Sequence, residues 1–273
     1  MKLRRGTVIG VFSAKGGVGK TTTVANLGSA LAQKLKGRVC VVETNMTASN
    51  LGLHLNILEP PVAIQDVVFG RVKIDEAITV LKSGLHVLPG SVAFTDELGS
   101  IDLKGFIDQL RRKYTVILLD SAPGFGLEVF AGLKACDELL IICQPEIPAI
   151  AGTLQTFRAA DRLKIPVLGV ILNRVAHRRY EIPLMEIKKT LGWATILEIP
   201  EDGAVQESIT KANPVVLESP ESPAAIEFKK LAGVILARIK ARRRVRVRRA
   251  KPRRVVRARK VKPRRRVRAR RGR

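Results

Sequence analysis

The stretch Ala14-Lys15-Gly16-Gly17-Val18-Gly19-Lys20-Thr21-Thr22 limits the folds open to this chain more than any other segment. A β-forming run, Thr7 to Phe12, leads into it, and a helical pattern, Thr22 to Leu35, leads out. Strand, glycine-rich loop and helix start together make a phosphate cradle. Glycines let backbone N–H groups approach an anion with no Cβ in the way, and the helix N-terminus adds its dipole. Within that cradle Gly16, Gly17, Val18, Gly19, Lys20, Thr21 and Thr22 are the candidate nucleotide contacts. Lys20 offers a point charge to the β- and γ-phosphates, and the Thr21 hydroxyl is a ligand for Mg²⁺.

The rest of the body alternates short apolar runs with helical patterns. Strands are predicted at Val39 to Glu43, Leu85 to Leu88, Thr115 to Leu119 ending in Asp120, Leu139 to Cys143, Val167 to Leu172 ending at Asn173, and Thr195 to Ile199. Helices are predicted at Asp66 to Gly70, Asp75 to Val80, Ile101 to Lys113, Pro148 to Leu163, Ile182 to Leu191, Ala204 to Lys211 and Pro223 to Lys240. This pattern predicts an α/β fold, a doubly wound and mostly parallel sheet flanked by helices. Ligands in such sheets bind at the carboxyl ends of the strands, where Lys15, Glu43, Asp120 and Asn173 fall. Asp120 closes an apolar strand ahead of Ser121-Ala122-Pro123-Gly124, which suits a carboxylate holding Mg²⁺ through water. The three cysteines, Cys40, Cys136 and Cys143, form no C-x-x-C pair and read as free thiols of a reducing cytosol. No signal peptide or membrane-spanning run is read from the sequence.

The loop variant K-G-G-x-G-K-[ST]-[ST] resembles the deviant Walker A motif of the MinD/ParA group of P-loop ATPases. The resemblance covers roughly residues 6 to 235 and is nearest to MinD-like proteins. It extends to Cys136-Asp137-Glu138, Gln144-Pro145-Glu146-Ile147-Pro148-Ala149, Ile199-Pro200-Glu201-Asp202 and Asn213-Pro214-Val215-Val216. It implies ATP and Mg²⁺ as cofactors, slow ATP hydrolysis and a homodimer formed on ATP binding. Lys15 then is the group's signature lysine, reaching the other subunit's phosphates. Asn173 reads the adenine edge, and Pro200, Glu201 and Asp202 form a second base-contacting loop. Asn173-Arg174-Val175-Ala176 is not the N-K-x-D of a GTPase, which favours ATP. In the group, the segment after the second strand carries D-x-D and then N-L. Here Asn50-Leu51 match, but Glu43 and Asn45 replace the aspartates. Glu43 is the candidate third metal-shell residue. Asn45, with Lys15 and Lys20, is the candidate catalytic set; an asparagine can orient a water but cannot take its proton. Turnover is therefore slow, or the chain is a nucleotide-binding switch without hydrolysis.

Charge divides the chain in two. From Arg238 to Arg273 there are 22 lysines and arginines and no acidic residue, whereas the preceding body carries 27 basic against 24 acidic residues. We divide it into an ATPase domain, 1–240, and a basic tail, 241–273. The tail holds three 11-residue units: Lys240 to Ala250, Lys251 to Val261 and Lys262 to Gly272. It has no aromatic residue, leucine or isoleucine after Ile239, and Pro252 and Pro263 interrupt it, so it reads as disordered when free. One sign of charge without an apolar face suits phosphates better than an interfacial helix, and DNA is favoured over RNA and over anionic membrane. Binding without base-reading groups is sequence-nonspecific. The sequence thus predicts a cytoplasmic, nucleoid-associated ATPase that positions or partitions DNA or a division assembly. Its activating protein is unknown. The rivals are a non-hydrolysing DNA-binding switch and a membrane-cycling ATPase with a polybasic anchor.

Overall fold

Nearly every short apolar run becomes a strand, and all the strands join one sheet. The computed structural model describes residues 6–93, 102–192 and 195–250. In chain order the elements are β1 (Thr7–Phe12), α1 (Lys20–Lys34), β2 (Val39–Glu43), a 3-10 turn at Leu53–Leu55, α2 (Ile64–Val68), β3 (Thr79–Val80), β4 (His86–Leu88), α3 (Leu103–Leu110), β5 (Val116–Asp120), α4 (Leu127–Ala135), β6 (Glu138–Cys143), α5 (Ile147–Arg162), β7 (Val167–Val175), α6 (Leu184–Leu191), β8 (Thr195–Pro200), α7 (Gly203–Thr210), α8 (Val215–Glu218) and α9 (Pro223–Ala250). The strand order is β3-β4-β2-β5-β1-β6-β7-β8. All pairs are parallel except β3 with β4.

Strand alternation distributes the core between two faces. Ile9 and Val11 of β1 point to the face covered by α1 and α9, through Val24, Leu27 and Leu31 and through Phe228, Leu231 and Ile235. Val8 of β1, with Ile117 and Leu119 of β5, points to the opposite face, against Ile64 of α2 and Leu103 and Ile107 of α3. Helices on both faces explain why β5 and β6 are buried from end to end and read as unbroken apolar runs.

Four expectations need correction. Residues 75–80 are not a helix: Thr79 and Val80 pair antiparallel with Val87 and His86 around a tight turn in which Gly84 has φ +82°. Their β-branched side chains suit an edge strand, and the pairing is decided by the turn rather than by local helical spacing. The strand expected to end at Leu172 continues to Val175, so Asn173 lies inside β7. A helix not anticipated from the sequence, α4, follows the Ser121-Ala122-Pro123-Gly124 loop. The last helix does not stop at Lys240: it runs to Ala250 and takes in the first 11-residue unit. That unit contains no proline, and the first break, Pro252, comes after it. Residues 251–273, which hold the other two units, lie outside the described residues.

Candidate nucleotide site

The register of the three central strands assembles the site at their carboxyl ends. β1 delivers the glycine-rich loop, and β5 pairs with β1 on one side and β2 on the other. The β2–β5 register sets Glu43 directly beside Asp120. The loop turns through Gly17 (φ +73°) and Gly19 (φ +99°) into α1. A Cβ on Gly19 would stand 2.2 Å from Asn173 Nδ2, so a side chain there would fill the cradle. Lys20 opens α1 and is only 7% exposed. Burial lowers its pKa, and the neighbouring Asp120 acts in the opposite sense. Gly124 N–H donates to Ala14 O at 3.0 Å, which fixes the loop after β5 against the phosphate loop.

Asp120 is 1% exposed, and its Oδ1 is buried without a hydrogen-bond partner. Burial raises its pKa, while a hydrogen bond from Thr21 and the charge of Lys20 lower it. An orphaned carboxylate oxygen costs free energy, and a hard cation would satisfy it. Thr21 and Asp120 therefore fit a magnesium site.

Glu43, expected in the metal shell, is engaged otherwise in this conformation. Its Oε1 accepts from Asn45 N–H and its Oε2 from Asn50 N–H and Leu51 N–H, each at 2.9 Å. Burial and the charge of Asp120 raise its pKa. Glu43 ties down the loop that follows β2. Asn45 donates its own amide to Ala48 O at 2.7 Å, and Asn50 does the same at 2.7 Å. From the far side Glu128, in the first turn of α4, accepts from Met46 N–H at 2.8 Å and from Thr47 Oγ1 at 2.7 Å. Thr44 N–H and Oγ1 donate to Asp120 O at 2.9 and 2.6 Å.

A cavity of about 300 Å³ opens beside the cradle. Gly17, Gly19, Lys20, Thr21 and Thr22 line it on one side, and Asn173, Pro200, Glu201 and Asp202 on the other, so the structure brings the phosphate and base contacts read from sequence into one space. Gly16 lies in the same loop, while Val18 is fully buried beneath it. Asn173 donates to Val18 O at 2.8 Å and so braces the phosphate loop. Asp202 caps α7 through Ala204 N–H and accepts from Ala224 N–H at the start of α9, both at 3.0 Å. Glu201 accepts from Gln206 Nε2 at 2.9 Å. Lys15 pairs with Glu146, ahead of α5. Sequence reasoning missed His54, Arg174 and Gln206, which also line the cavity. Of these only Arg174 had a local signal, its place directly after Asn173.

The profile of the AAA domain family matches residues 6–166. An uncharacterized ATP-binding protein of Methanocaldococcus jannaschii is 30% identical over 230 residues, 84% of this chain and 87% of that protein. Among solved structures, the cell division ATPase MinD of Pyrococcus furiosus superposes with a TM-score of 0.80 at 31% identity, covering 85% of this chain and 99% of that one. The septum site-determining protein MinD of Pyrococcus horikoshii, complexed with Mg-ADP, gives a TM-score of 0.78 at 30% identity, over 84% and 95% of the two chains. The chain belongs to the MinD/ParA group of P-loop ATPases.

Proposed function

We propose that this chain is an ATP- and Mg²⁺-dependent molecular switch of the MinD/ParA type, with slow hydrolysis, that dimerises on ATP and positions or partitions DNA or a division assembly. The observation that carries the reading is that Lys20 and Thr21 line the cavity walled by Asn173 and residues 199–202, while the buried Asp120 carboxylate, its Oδ1 orphaned, stands against both of them. Mg²⁺, when bound, would neutralise charge on the β- and γ-phosphates. Thr21 and Asp120 would hold it, and the backbone of Gly16 to Thr22 together with Lys20 would hold the phosphates. Asn45 would orient the attacking water once its amide leaves Ala48 O. Lys15 would exchange Glu146 for the partner subunit's phosphates. Leu127 and Ile147, 75% and 74% exposed near the same edge, supply apolar area for such a contact. The related structure with Mg-ADP supports the cofactors.

The tail supplies the attachment. The 22 like charges in the 36 residues 238–273 attract polyanions, and the reading favoured here is nonspecific binding to duplex DNA and residence on the nucleoid. No helix among the described residues is long and apolar enough to cross a membrane. Steady-state ATP turnover with Mg²⁺, with and without DNA, tests the enzymatic reading against a Lys20→Ala control. Turnover above that control supports it, and turnover equal to it in every condition leaves the second reading, a non-hydrolysing switch. That second reading is favoured by the way Asn45 is bonded into its own loop. Binding to anionic liposomes but not to DNA across a salt series would replace the nucleoid with a membrane surface.

A further inference from the structure

Asn50 and His54, from the segment after β2, both line the nucleotide cavity. Asn50 is bound into its loop through Ala48 O, but the His54 ring has no hydrogen bond or ion pair among the described residues. The 3-10 turn that carries it is firmly seated. Leu53 N–H and His54 N–H donate to Asn50 O at 3.1 and 3.4 Å, and Leu51 and Leu55 are buried in the core with Val24 and Leu27 of α1. These leucines anchor the turn and leave His54 half-buried at the cavity wall. Burial alone lowers its pKa, with no charged neighbour contributing, so the ring is neutral near pH 7 and keeps one N–H to donate. A polar ring withdrawn from water without a partner costs free energy that an acceptor on a ligand would offset.

The sheet order decides which part of a nucleotide meets this ring. β2 lies on one side of β1, in the order β2-β5-β1, while β7 and β8, which bring Asn173 and Pro200, lie on the other. The segment after β2 therefore approaches the phosphate loop from the side away from the base contacts, where α1 opens with Lys20, Thr21 and Thr22. Lys20 is the cation at that end of the cavity; Arg174, Glu201 and Asp202 stand at the base end. We propose that His54 is a phosphate-binding residue, donating from a ring N–H to an oxygen of the nucleotide's phosphate chain. The inference rests on the reading of the cavity as a nucleotide site. It gives the segment after β2 a part in binding that does not require Asn45 to leave Ala48 O, because Leu51 and Leu55 set the turn while the bonds within residues 43–50 stay in place.

The test is nitrogen NMR of the imidazole rings in the full chain, which has three histidines. Mg-ADP, Mg-pyrophosphate and adenosine are the probes. The His54 ring resonances should shift with Mg-ADP and with Mg-pyrophosphate and stay in place with adenosine. His86, held to the Tyr114 hydroxyl at 2.9 Å, is the internal control and should not move with any probe. A His54 ring unmoved by Mg-ADP overturns the contact, and movement with adenosine but not with Mg-pyrophosphate overturns the assignment to phosphate. Calorimetry with Mg-ADP separates donation from packing. His54→Phe keeps a ring and loses the donor, so affinity should fall about tenfold. His54→Gln keeps an N–H and should stay within about threefold of the wild type. The reverse order, with His54→Phe unchanged and His54→Gln weakened, would show that the ring only packs. Lys20→Ala distinguishes the two ways of failing. If it too binds Mg-ADP as the wild type does, the nucleotide reading of the cavity falls and the inference with it. A weakened Lys20→Ala beside an unchanged His54→Phe sinks the inference alone.

Discussion

The phosphate loop and the loop after β2 both follow a parallel strand at the same edge of the sheet, yet they use their polar groups in opposite ways. The phosphate loop is braced from outside, by Asn173 on Val18 O and by Gly124 on Ala14 O, and leaves Lys20 and Thr21 facing the cavity. The loop after β2 turns its own polar groups inward, although Glu128 also holds it from outside: Glu43 collects three backbone N–H groups, and Asn45 and Asn50 share Ala48 O. One loop is prepared for a ligand before it arrives, and the other must give up internal bonds to take part in chemistry. On the proposed function, binding and turnover would be separable, and Asn45 would act on the turnover side.

Substitutions can break that contrast in graded fashion. Glu43→Ala leaves three N–H groups without their acceptor, offset in part by relief of its repulsion with Asp120, and should destabilise the fold by about 3 kcal/mol. Urea unfolding checks it, with Mg-ATP affinity changed much less than stability. Lys20→Ala should act the other way round. It removes a charge-assisted contact of about 2–3 kcal/mol, so calorimetry should show Mg-ATP binding weakened about 30- to 160-fold with the unfolding midpoint nearly kept. Gly19→Ala forces a side chain to φ +99° and 2.2 Å from Asn173 Nδ2. The strain is about 1–2 kcal/mol before the lost Asn173 bond is counted, and both stability and nucleotide affinity should fall. Glu128→Ala should do least, about 1 kcal/mol. It frees Met46 and Thr47, so hydrogen exchange should rise across residues 44–50 while Mg-ATP affinity stays within threefold. An equal rise in the phosphate loop would erase the contrast.

The sequence shows most clearly those parts that local chemistry dictates. The glycine-rich loop, Asp120 at the end of an apolar run and the central strands are legible because each depends on neighbours in the chain. β3 is not, because two residues become a strand only when paired with β4. α4 escapes notice because Leu127-Glu128-Val129-Phe130-Ala131-Gly132-Leu133 is apolar nearly throughout and shows little periodicity. The capture of Glu43 by its own loop and the pairing of Glu138 with Arg238, 100 residues on, are products of register and packing. His54 and Gln206 enter the cavity for the same reason, since the sheet order brings distant segments to one edge.

The separation of binding from turnover is tested most directly by Asn45→Asp, with Mg-ATP affinity and steady-state hydrolysis measured on the same preparation. A carboxylate at position 45 can accept a proton from water that the amide cannot. The account predicts hydrolysis raised at least several-fold with affinity unchanged within about twofold. Affinity and hydrolysis changing together, or hydrolysis left where it was, would contradict it.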